Sequence, residues 1–108
     1  MNYQERIKHC IELTKTLDPN KVDLVDWQHP CGATRCVIGH LCATPEAQAE
    51  GLRLSQSHTP TFEASRNWGA VAKYFNILEI TALHVFGFNG GRNRTAEDVR
   101  KKLEDFVK

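Results

Sequence analysis

Prolines, glycines and asparagines cut this chain into pieces too short for any long helix, and no piece alternates in the two-residue rhythm of a strand. Asp18-Pro19 stops the first amphipathic run, because the proline ring disfavours helical geometry at the residue before it. Pro30-Cys31-Gly32 is turn chemistry. Thr44-Pro45-Glu46 has the cap, the first-position proline and the early acid of a helix start. Gly51, Asn76 and Gly87 stand where helices end. The predicted fold is therefore all-α: one compact domain over residues 1–108, a bundle of about five short helices.

The helices follow from apolar spacing. Tyr3, Ile7, Cys10, Ile11 and Leu17 fall on one side of a first helix from near Tyr3 to Leu17, with Glu5, Lys8, Glu12 and Lys15 opposite. Residues 21–29 carry Val22, Leu24, Val25 and Trp27 without clean periodicity and read as a connector that plugs large side chains into the core. Thr34 is the expected N-cap of a helix through Cys42. Trp68, Val71, Ala72 and Phe75 make a tight stripe closed by Asn76, and Trp68 is expected to be structural. A further helix covers residues 79–86. Thr95-x-x-Asp98 is a capping box ahead of Val99, Leu103, Phe106 and Val107. The segments 55–61 and 89–94 read as loops.

The cysteines and one histidine concentrate the chemistry. With a helix beginning at Thr34, Cys36 and His40 lie four residues apart on one face, just after Cys31 and His29. His29, Cys31, Cys36 and His40 supply two nitrogens and two sulfurs, a set that suits tetrahedral zinc, with Cys42 as an alternative fourth ligand. The spacing lacks the paired short knuckles of zinc ribbons, so the expectation is no resident cofactor, with zinc the live exception. A second alternative is a thiolate at Cys36, favoured by the helix dipole, with His40 as base; no acidic orienter or oxyanion site accompanies the pair. The plain reading is packing. Gly32 then supplies turn freedom, and Gly39, inside a helix, implies a neighbour packed close against its backbone.

Charge and hydropathy limit the partners. The formal net charge is +1, which gives no global reason to expect nucleic acid or an acidic membrane. The N-terminal residues are polar and run into an amphipathic pattern, so the expected location is the cytoplasm, with cysteines reduced. Residues 71–77 followed by 79–86 superficially resemble a DNA-binding helix-turn-helix. The would-be recognition helix, however, carries one acid and no Lys or Arg. Arg92, Arg94, Arg100, Lys101 and Lys102 form a basic stretch interleaved with four acids, which reads as a solvated, salt-bridged face and is the sole footprint for a nucleic-acid-binding regulator.

Cys31-Gly32-Ala33-Thr34-Arg35-Cys36-Val37-Ile38-Gly39-His40, followed by Gly51-Leu52-Arg53-Leu54, resembles a widespread group of small phage and bacterial proteins. In that group a Cys-Gly-Thr-like turn leads into Cys-(Ile/Val)-Ala-Gly-(His/Trp). The stretch from Asn67 to Phe75 is similar to its Trp-x-Ala-Val-Ala-x-Phe-Phe element, and Ala82–Phe86 and the helix opening at Thr95 follow in the same order. The chain departs from the group at Ala33 and Ile38, where threonine and alanine are usual. The resemblance implies an origin and a fold more than an activity. Tryptophan often stands where this chain has His40, which weakens a zinc role for the segment.

The expectation for function is a non-enzymatic phage or prophage protein that binds a host or phage protein; inhibition of a host defence system is one concrete version. The expected docking residues are His58, in the 55–61 loop, and Arg92 and Arg94, in the 89–94 loop.

Overall fold

The computed structural model describes residues 1–24, 27 and 34–107. The chain is mainly helical but not all-α, because a small antiparallel sheet interrupts the helices. Helix α1 (Tyr3–Thr16) leads through a 3-10 turn (Pro19–Lys21) to α2 (Val37–Cys42) and α3 (Pro45–Ala49). Strands β1 (Arg53–Leu54), β2 (Pro60–Phe62) and β3 (Ser65–Arg66) follow, and then α4 (Asn67–Phe75), α5 (Glu79–Phe86), α6 (Phe88–Gly91) and α7 (Ala96–Phe106). The radius of gyration is 12.3 Å. Among the described residues no helix is long and apolar enough to cross a membrane.

Local chemistry sets the helix ends. Asn2 caps α1 reciprocally with Glu5, Thr44 caps α3, and Thr95 forms with Asp98 the capping box expected for α7. Asn76 closes α4 in the left-handed region (φ 57°), its N–H bonded to the carbonyls of Ala72 and Lys73.

Four expectations are corrected. Thr34 is not the cap of α2: Arg35 is held extended by a parallel bridge to Val22, its N–H donating to the Lys21 carbonyl at 3.1 Å. The helix therefore starts two residues later, and Cys36 is its cap, with Sγ accepting from the Gly39 N–H at 3.4 Å. Pro60 and Thr61 belong to the central strand, registered against Leu54 and Arg53 on one side and with Thr61 opposite Arg66 on the other. The segment 89–94 is no open loop, since α6 ends at Gly91, Arg92 turns left-handed (φ 56°) and Asn93 is buried. On the outer turns, Tyr3 and Phe106 are exposed rather than packed.

The core lies between α1, α2, α4, α5 and α7. Tyr74 and Phe75 meet edge to face at 5.0 Å, Phe75 stacks on Phe86 at 5.4 Å, and Phe62 of β2 meets Tyr74 edge to face at 5.3 Å. The hairpin thus closes the end of the core beside α4, where Lys73 and Glu63 also pair at 2.8 Å. Trp27 of the connector packs against Trp68 at 4.7 Å.

Candidate functional site

The described part of the cysteine–histidine segment is built as core. Cys10, Cys36 and Cys42 are all free thiols and all buried, at 0%, 5% and 2% exposure. Burial pushes the Cys36 thiol up to about 11, outweighing the backbone N–H groups at the head of α2, which act in the lowering direction. Cys42 is pushed up to about 12, first by burial and then by its neighbour Cys36, and Cys10 higher still for the same reasons. These three thiols are protonated at neutral pH, so the helix terminus does not make Cys36 a nucleophile.

His40 is held in place. Its Nε2–H donates to the Lys21 carbonyl at 2.8 Å, and burial lowers its pKa despite that bond, which favours the neutral ring. Metal ligation through Nε2 would require breaking the bond. His29, Cys31 and the turn glycine Gly32 lie outside the described residues; among those described, no group of three His, Cys, Asp or Glu side chains is placed to hold a metal. The neighbour packed against Gly39 is the Trp27 carbonyl, whose oxygen occupies the place a Cβ would take.

A concavity lies between α1 and α7. The end of α1, the 3-10 turn and the first turn of α7 enclose a groove of about 370 Å³. Leu17, Val22 and Ala96, each packed against the core, join Pro19 in giving it an apolar floor. Lys15, Arg94 and Arg100 bring three cations to its edge, against the single carboxylate of Glu97. At 370 Å³ it falls within the range of small ligand pockets, about 300–1,000 Å³.

The edge is rigidly mounted. Asp98 accepts from the N–H groups of Arg94 (2.8 Å) and Thr95 (3.1 Å), and these bonds hold its carboxyl below the ordinary range. The buried Asn93 amide donates to the carbonyls of Val85 and Gly87, both at 2.9 Å, and Lys102 Nζ donates to those of His84 (2.9 Å) and Gly91 (2.6 Å). These bonds satisfy the carbonyl end of α5 and fix the chain on either side of Arg92. The Arg94 guanidinium lies over the Phe88 ring at 4.5 Å.

The chain matches no family model, no curated protein and no solved structure. The site therefore rests on its own geometry. Of the sequence-derived docking residues, Arg94 lines the groove, while Arg92 is exposed beside it in the chain and His58 stands exposed, with φ 62°, between β1 and β2. Lys15 and Arg100 each read alone as solvated helix charges, so no local pattern joins them to the groove. The signal was present in outline: a helix stop at Asp18-Pro19 and a helix start at Thr95, each flanked by cations.

Proposed function

We propose that this chain is a small non-enzymatic protein of phage or prophage type that acts in the bacterial cytoplasm by docking on another protein. Inhibition of a host defence system is one concrete version. The observation that carries the reading is the groove between α1 and α7, an apolar floor under a cationic edge on a rigid helical frame. The inert state of the three described thiols supports a binding role over thiol chemistry. The resemblance of the 31–40 segment to phage proteins supports the origin.

The test is affinity capture from host extract with the intact chain and with Ala96→Phe, which plugs the groove without changing charge. The reading predicts one specific protein captured by the parent and lost, at least tenfold, with Ala96→Phe, while circular dichroism of the variant is unchanged. Capture that survives Ala96→Phe but disappears with His58→Ala would contradict the groove and move the docking surface to the hairpin.

A further inference from the structure

We infer that the α1–α7 groove takes an acidic peptide segment in which a carboxylate neighbours an apolar side chain. The inference rests on the docking reading above and names its ligand. Its basis is charge complementarity combined with an apolar floor.

The two arginines keep donors available. The Arg94 guanidinium lies over the Phe88 ring, and its Nη1 donates a long bond to the Asn93 carbonyl at 3.4 Å. The ring contact restricts the guanidinium while most of its donors stay open to a carboxylate, which arginine can bind in bidentate fashion. Arg100 stands between Glu97 and Glu104 at 3.8 and 3.7 Å, beyond hydrogen-bond distance of either. An incoming carboxylate therefore competes with two long ion pairs at Arg100 but displaces no hydrogen bond. Lys15 contributes less, because it already bonds Glu12 at 3.0 Å.

The remaining features select among anions. Glu97 repels a bare anion, and the floor of Leu17, Val22 and Ala96 offers a phosphate nothing. A peptide side chain can desolvate that floor while a neighbouring carboxylate reaches the arginines. Nucleic acid needs a continuous cationic track, but Lys102 is turned onto backbone carbonyls and Lys101 pairs with Glu97 at 3.7 Å.

The experiment is a titration of the full ¹⁵N-labelled chain with the capped tetrapeptide Glu-Leu-Glu-Leu, its Lys-Leu-Lys-Leu counterpart, and inorganic phosphate. The expected result is saturable shifts at Lys15, Val22 and Ala96 with the acidic peptide alone, weakened by salt. Arg94→Gln with Arg100→Gln should weaken that binding about tenfold. The single variant Arg100→Gln, which breaks only long ion pairs, keeps the test valid if the double variant loses its dispersed spectrum. The inference is overturned if the acidic peptide leaves the groove resonances unmoved, if the basic peptide binds equally, or if phosphate alone reproduces the shifts. Loss of partner capture by Ala96→Phe together with a silent acidic peptide would sink the ligand chemistry and leave the docking reading standing. Capture indifferent to Ala96→Phe would sink the docking reading itself.

Discussion

At Gly39 the backbone of α2 meets the Trp27 carbonyl so closely that any side chain must displace one of them. Gly39→Ala should therefore cost about 3 kcal/mol or more, read as a lowered urea midpoint; a cost under about 1 kcal/mol would mean that the connector yields freely. Asn93 makes a second sharp case. Its amide nitrogen donates to three carbonyls, of His84, Val85 and Gly87, while buried at 1% exposure. Asn93→Asp replaces that donor with an acceptor facing the same oxygens, at an expected cost of about 2–4 kcal/mol. The need for a small residue at Gly39 was legible, because glycine inside a helical pattern signals close approach. Nothing in the local pattern around Asn93 announced its role, since its carbonyl partners belong to α5 and its far end.

Helices α1, α4, α5 and α7 could be read from apolar spacing and caps, because those signals are local. The sheet could not. Its strands are two or three residues long, too short for alternation, and Glu63 takes a left-handed φ of 54° at the β2–β3 turn, where a glycine or asparagine would have marked a hairpin. The onset of α2 is hidden for a related reason: the bridge from Val22 to Arg35 joins residues distant in sequence and has no imprint in the residues near Thr34. On α7 the capping box is the testable element. Thr95→Ala removes the bond accepted from the Asp98 N–H and should lower stability by about 1 kcal/mol in a denaturant series, with loosening of the Arg94 edge.

Across the whole molecule, Glu50 links elements distant in sequence. Its carboxylate accepts from Arg6 Nε at 3.2 Å, from the Tyr74 hydroxyl at 3.0 Å and from the Met1 amine at 2.7 Å. Arg6 also donates to the Tyr74 carbonyl at 2.9 Å and lies over the Tyr74 ring. Burial alone would raise the Glu50 carboxyl, but these donors outweigh it and hold the group at about 2. The folded-state value is depressed, so the contribution to stability is complete well above the ordinary value of 4.5 and fades as pH falls towards 2. After allowance for solvent screening it amounts to about 1–2 kcal/mol. Urea midpoints at pH 7 and pH 3 should fall further for the parent than for Glu50→Gln; equal falls would contradict this. None of these pairings could be read from the chain, as they join residues 24 to 68 positions apart.

The groove is likewise a product of tertiary assembly, and other exposed surfaces compete with it. Among the described residues, Leu78 and Ile80 at the head of α5 are the most exposed large apolar side chains, at 71% and 74%, and His58 marks the hairpin. Hydrogen–deuterium exchange of the chain alone and with its captured partner separates these surfaces. The account predicts protection concentrated in residues 14–22 and 94–100. Protection confined to residues 55–59 or 78–82, with the α1–α7 groove unchanged, would contradict it.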